Sequence, residues 1–192
     1  MTTVGGALPL RVCFVCTGNI CRSPMADVVL RAMAARTALG DGTALGNHLV
    51  VDSAGTGNWH AGEPMDPRAA AALAAAGYAD HGHRARAFEA AWFGERDLVV
   101  AMARTHQQTL AGLARHRAGG GHRAELVLLR PFDPRAGGSV DVPDPYYGDA
   151  ADFDECLAMI EAGCRGLVDD LVARLASDQP GEASKGTRDS AS

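Results

Sequence analysis

No stretch of this 192-residue sequence approaches the ~18 consecutive apolar residues of a membrane-crossing helix, so a membrane protein is not expected. The N-terminus also lacks the basic, then apolar, then small-residue order of an export signal. Excess positive charge is missing too: the net charge is −5, and a nucleic-acid binder usually carries a basic patch. The five cysteines are an odd number and form no disulfide framework, which fits reduced thiols in the cytoplasm. No set of His, Asp and Glu groups as a two-metal hydrolase requires. There is no internal repeat. The length suits one domain with a sizeable core.

The chemistry concentrates near the N-terminus. Leu10–Val15 is an apolar run of strand character, the pattern of a strand covered on both faces. It feeds the loop Cys16-Thr17-Gly18-Asn19-Ile20-Cys21-Arg22, and Ser23-Pro24 then predicts an N-cap and first helical residue. A cysteine six positions before an arginine, between a strand and a helix, suits a loop that curls around a tetrahedral oxyanion. A helix N-terminus offers N–H donors and partial positive charge, which favour phosphate and thiolate alike. Arg22 adds a bidentate fork for two phosphate oxygens. Thr17 to Cys21 contribute mainly backbone N–H groups, with Gly18 allowing a close approach or a positive φ. Ser23 is placed to donate a hydrogen bond to the Cys16 sulfur. Cys13 is read as core. A zinc or redox site built from Cys13, Cys16 and Cys21 is disfavoured, because residues three apart on a strand point to opposite faces and no second cysteine pair at finger spacing follows.

The remaining chain alternates strands with helices. Strands are predicted at His48–Ala54, Asp97–Ala101 and Glu125–Leu129. Helices are predicted from Ser23 to about Thr37, from Asp66-Pro67 to Gly77, from a Thr105/Gln108 capping box to about His116, and over Asp152–Ala176. Residues 117–123 are read as a loop and 131–143 as irregular. Cys156 and Cys164 fall on the inner face of the last helix. Alternation of this kind implies an α/β domain with a parallel sheet and helices on both faces, binding ligands beyond the carboxyl ends of its strands. Cys16 lies at such an end. The expected division is a flexible lead-in over 1–9, one domain over 10–176 and a disordered tail over 177–192.

The segment CTGNICRSPMAD, with Asp144-Pro145-Tyr146-Tyr147-Gly148 far downstream, resembles the low-molecular-weight protein tyrosine phosphatases, especially the bacterial ones. The stretches beginning at Asp52 and Gly82 are also similar, so the likeness runs from about Leu10 to about Leu175. It implies a four-stranded parallel sheet and metal-independent, cofactor-free hydrolysis of phosphotyrosine in proteins through a cysteinyl-phosphate, releasing inorganic phosphate, by a monomer. Cys16 is then the nucleophile, Arg22 grips the phosphoryl oxygens, and Asp144 is the general acid. Asn19 shapes the loop, with Ser53 and His83 as its implied hydrogen-bond partners; the alternative for His83 is a solvated loop residue. Tyr146 and Tyr147 read as an aromatic rim with Trp59 facing them, although Trp59 also reads as a packing residue. Cys21 is the implied redox partner of an oxidised Cys16, and otherwise fills space below the loop. Asp66 reads as a helix cap. One departure stands out: Met102-Ala103 replaces the Met-Asp usual after the third strand, which leaves open how Arg22 and the loop are braced there.

Three other readings are weighed. An arsenate reductase of the same fold needs additional redox cysteines, and none lies between Ala54 and Gly148. A protein arginine phosphatase typically has Thr where Ile20 stands and lacks the paired tyrosines. A non-catalytic phosphotyrosine-binding module would lose Cys16 or Asp144.

Overall fold

The computed structural model describes residues 8–115 and 124–177. The expected 117–123 loop, the tail beyond residue 177 and most of the 1–9 lead-in lie outside the described residues. Four strands, β1 (Leu10–Cys16), β2 (Leu49–Gly55), β3 (Leu98–Ala101) and β4 (Glu125–Leu128), form one parallel sheet in the order β2-β1-β3-β4. The helices are α1 (Arg22–Arg36), α2 (Pro67–Ala75), α3 (Arg104–Arg115) and α4 (Ala150–Ser177). This is the doubly covered α/β domain that the alternation implies. Among the described residues no helix is long and apolar enough to cross a membrane.

Strand alternation divides the core in two. Val12, Phe14 and Cys16 point toward α1, α2 and α4, joined there by Met25, Leu73, Phe153 and Ile160. Cys13 and Val15 point the other way, toward α3 and the aromatic pair Phe88 and Phe93. Cys13 and Cys16 therefore lie on opposite faces, and the rival site joining them has no geometry. Cys156 and Cys164 are buried in the first of these clusters.

Three helix starts differ from expectation. α1 begins at Arg22, with Cys21 rather than Ser23 at its N-cap and no side-chain cap. The Ser23 hydroxyl is drawn inward instead, and Pro24 costs no hydrogen bond because it still lies in the first turn. The Thr105/Gln108 box does not form: α3 begins at Arg104, whose N–H donates to Asp141 Oδ1 at 2.7 Å. α4 begins with a reciprocal box that sequence reading did not find. Asp149 accepts from Ala151 N at 2.8 Å, and Asp152 accepts from Asp149 N at 2.8 Å. That fold-back places the Asp152 carboxylate where a Cβ on Gly148 would stand, so a side chain after the tyrosines would displace this cap. Asp66 does cap α2, accepting from Arg68 N at 2.9 Å.

Candidate active site

β1 is one of two inner strands, paired to β2 and β3, and its last residue is Cys16. The loop leaving it is held by its carbonyls. Cys16 O accepts from Thr56 N (2.8 Å), Thr17 O from Gly57 N (3.0 Å), Ile20 O from Asp66 N (2.8 Å) and Cys21 O from Met25 N (3.1 Å). Asn19 O is bonded to His83 Nε2 at 2.7 Å. With the carbonyls turned outward, the loop's N–H groups are left for the concave side, and that of Asn19 points at Cys16 Sγ at 3.3 Å. The curl needs one left-handed residue, and it is Asn19, at φ 58°, a conformation that asparagine tolerates better than most side chains. Gly18 serves the close approach: a Cβ there would stand 2.8 Å from the His60 ring.

Asn19 is fully engaged below the loop. Its Nδ2 donates to Ser23 Oγ and Ser53 Oγ, both at 3.0 Å, and its Oδ1 accepts from Arg86 N at 3.0 Å. Both implied partners, Ser53 and His83, thus reach Asn19, but His83 holds its main-chain carbonyl rather than its side chain. Burial lowers the His83 pKa, in keeping with a neutral ring in this role. Ser23 Oγ lies 3.0 Å from Cys16 Sγ and 3.1 Å from the Ala54 carbonyl. Its single proton serves one of them at a time: the sulfur when that is a thiolate, the carbonyl when the sulfur carries its own proton.

Arg22 is 5% exposed. Its Nη1 donates to the Val142 carbonyl at 3.2 Å, and its Nη2 reaches Thr17 Oγ1 at 3.3 Å and Asp144 Oδ2 at 2.6 Å. Nε has no partner among the described residues, a buried donor left to face an anion. The brace that Ala103 does not supply comes from elsewhere, through the Val142 carbonyl and through Thr17. Thr17 Oγ1 is 2.9 Å from Nε2 of the buried His106. Thr17 Oγ1 accepts from Arg22 and so links the guanidinium to His106, whose Nδ1 has no partner among the described residues.

Burial and the Arg22 charge push His106 down to about 4 from its ordinary 6.5. Between those values the unfolded chain binds a proton that the folded one refuses, so folding stability falls as pH drops from about 6.5 to about 4 and is unaffected by this group above that window. The urea midpoint of His106→Gln is expected to fall less steeply across the window than that of the parent. Equal slopes would show that another group carries the dependence.

These residues line a cleft of about 210 Å³ formed by Cys16, Thr17, Gly18, Ile20, Cys21, Arg22, Trp59, His60, Asp144, Tyr146 and Tyr147. Cys16 lies at its floor, 2% exposed, while Trp59 (71%) and Tyr147 (94%) stand at its mouth. Cys21 is buried under the loop; burial first, then Asp66 and Cys16, push its thiol pKa well up, so it stays protonated. Among the described residues no three His, Cys, Asp or Glu side chains group as metal ligands.

Sequence reading missed His60, Arg68, Arg86 and His106. Arg68 carried a local signal, two residues after a capping aspartate. The other contacts are long-range: His106 meets Thr17 across 89 positions and Arg86 meets Asn19 across 67.

Comparison with known proteins agrees with this geometry. The family model described as low molecular weight phosphotyrosine protein phosphatase matches residues 11–179. A low molecular weight protein-tyrosine-phosphatase of Streptomyces coelicolor is 52% identical over 160 residues, covering 82% of this chain and 91% of its own. Low molecular weight protein-tyrosine phosphatase A of Mycobacterium tuberculosis is 45% identical over 173 residues, covering 90% and 98%. The crystal structure of YfkJ from Bacillus subtilis superimposes with a TM-score of 0.72 at 29% identity, covering 92% of this chain and 99% of that one.

Proposed function

The chain belongs to the low molecular weight phosphotyrosine protein phosphatase family, a family of cysteine-based hydrolases, and from that premise we propose that Cys16, Arg22 and Asp144 carry out its reaction. The observation that carries the assignment is the arrangement over one sulfur. Cys16 Sγ meets the Asn19 N–H and the Ser23 hydroxyl, with the Arg22–Asp144 ion pair completing the same cleft.

Binding a phosphate ester exchanges partners. The phosphoryl oxygens take the Arg22 guanidinium and the loop N–H groups, and the Asp144 carboxyl is released toward the leaving oxygen. The Cys16 thiolate attacks phosphorus in line. The bond from phosphorus to the phenolic oxygen breaks, and Asp144 gives that oxygen its proton. The equatorial oxygens carry the charge throughout, and Arg22 lies where they spread it. Water then attacks the cysteinyl-phosphate, Asp144 takes the water's proton, and the S–P bond breaks with Ser23 donating to the departing sulfur. No step calls for a metal or cofactor.

Depth favours an aryl ester. The sulfur is at the floor and Trp59, Tyr146 and Tyr147 wall the mouth, so a phenyl ring spans the distance and stacks on the way. Turnover of phosphotyrosine, phosphoserine and phosphoarginine peptides tests this: phosphotyrosine should be preferred, and equal or greater turnover of phosphoarginine would move the assignment to the arginine phosphatases. We place the enzyme in the cytoplasm, in keeping with five free thiols.

The same loop carries a redox prediction. Peroxide converts the Cys16 thiolate to a sulfenic acid, and the Cys21 thiol condenses with it. The S–O bond breaks, an S–S bond forms, and the thiol's proton leaves with the sulfenic oxygen as water. Burial that keeps Cys21 protonated slows this step without preventing it. Peroxide inactivation should be reversible by a dithiol and blocked by bound phosphate, whereas Cys21→Ser should be active but lose most of the recovery. Full recovery of Cys21→Ser would leave Cys21 as packing.

A further inference from the structure

The acid sits on a stretch without a ladder. From Asp133 to Asp149 the chain has no regular element, and its main-chain ties around Asp144 are few: Val142 N to Met102 O (2.8 Å) and Gly148 N to Pro145 O (2.9 Å). Such a segment does not hold a carboxyl to the fraction of an ångström that proton transfer demands. Something outside must fix it.

Arg68, the second residue of α2, reaches it from a separate element. Its Nη1 donates to the Gly148 carbonyl and its Nη2 to the Tyr146 carbonyl, both at 3.0 Å. Its guanidinium lies 4.6 Å from the Phe153 ring centroid and 5.7 Å from that of Tyr146. Phe153 is wholly buried in the first turn of α4, so the fork is aimed by a fixed surface as well as by its partners. Nε and Nη2 also grip Asp66 at 3.1 and 2.9 Å, and Asp66 N donates to the carbonyl of Ile20 in the phosphate loop. At the other end, Tyr146 N donates to Asp144 Oδ1 at 3.3 Å. One residue, Tyr146, thus gives its carbonyl to Arg68 and its N–H to the acid. The contacts run unbroken from the phosphate loop through Asp66, Arg68 and Tyr146 to the Asp144 carboxyl.

We propose that Arg68 is the positioning residue of the acid segment: without touching substrate, it sets where Asp144 stands and ties that placement to the phosphate loop. The proposal rests on the reading of Asp144 as general acid. A fork is needed because two carbonyls of different residues are held at once. Lysine keeps the charge but has no planar fork and no fixed stacking face.

The test compares Arg68→Ala and Arg68→Lys in the full chain, alone and combined with Asp144→Asn, by kcat/KM on aryl phosphates of graded leaving-group pKa. Inorganic phosphate binding and thermal midpoints report folding. Arg68→Ala is expected to lose roughly 10–100-fold on a phenol of pKa near 10 and a few-fold at most on an acidic phenol, with phosphate affinity retained. Arg68→Lys should fall between it and the parent, and carries the test if the alanine variant does not fold. In the Asp144→Asn background the Arg68 change should add almost nothing, since a misplaced acid matters only where there is one. A loss equal across the phenols, or one fully additive with Asp144→Asn, would overturn the proposal and leave Arg68 as packing. If Asp144→Asn itself shows no leaving-group dependence, the acid assignment has failed and the proposal falls with it. If Asp144→Asn behaves as an acid should and the Arg68 variants do not respond, only the proposal falls.

Discussion

Cys16→Ser is expected to lower turnover of an aryl phosphate by roughly 10⁴-fold or more, as the loss of a nucleophile does elsewhere, while leaving phosphate binding nearly intact. The two effects separate because different atoms produce them. The hydroxyl that replaces the thiol is a far weaker nucleophile at neutral pH, and the groups bonded to the sulfur, the Ser23 hydroxyl and the Asn19 N–H, are not bases that could take its proton. On the proposed reading binding falls to Arg22 and to a loop whose carbonyls are anchored to Thr56, Gly57, Asp66, Met25 and His83, none of which involves the sulfur. Turnover by stopped assay and phosphate affinity by titration calorimetry give the two readings on one preparation. Cys13→Ser is the control, because Cys13 faces the other core cluster; it should keep most of the turnover. Activity in Cys16→Ser approaching the parent's would end the cysteinyl-phosphate reading.

The second large effect is at Asp144. Asp144→Ala should slow transfer from a poor leaving group by roughly 10²–10⁴-fold and from an acidic phenol far less, since a stable phenolate leaves without a proton. The substitution also removes the ion pair with Arg22. The freed guanidinium remains anchored by Val142 and Thr17 and meets one fewer competitor for phosphate, so phosphate should bind at least as tightly as in the parent. Slower transfer with undiminished binding is hard to obtain from a damaged fold. A uniform loss across the phenol series would send the acid role to another residue.

How much of this could be read beforehand differs by element. The sheet was legible because each strand is a short apolar run between turn signals, and period-2 alternation decides which cysteine faces which core. The order of the strands was not, since nothing local in Leu49–Gly55 or Leu98–Ala101 says which flank of β1 it takes. Helix starts were misread where a capping side chain had a better partner. Ser23 is drawn to the sulfur, Asn19 and Ala54, and Asp141 reaches the start of α3 from 37 positions away. In the site, the residues with local spacing could be named, and the structure brings Cys16, Arg22 and Asp144 into one cleft. The residues that brace them could not, because His106 and Arg86 are recognised only by what lies opposite them once the sheet is assembled. Ala103 shows the same limit. A missing carboxylate at that position left the bracing of Arg22 open, and the support comes from the carbonyl of Val142 and from Thr17, itself backed by His106. Val142 and His106 lie on two segments distant from the loop that carry no motif of their own.

The contrast between β1 and the acid segment has a consequence for how the molecule loses function. Cys16 ends a strand laddered to β2 throughout and to β3 up to Val15, so its neighbouring amides should not open to solvent exchange without most of the sheet opening too, and the proposed nucleophile is expected in the last cooperative unit to unfold. Asp144 belongs to a unit held mainly by side-chain contacts and a few main-chain bonds, which can detach at a far smaller free energy. On the proposed roles, mild denaturant or heat should therefore pass first through a species that still captures phosphate but cannot protonate a leaving group. Such a species would compete for phosphotyrosine without consuming it, so partial unfolding would turn the enzyme into a shield for its own substrate.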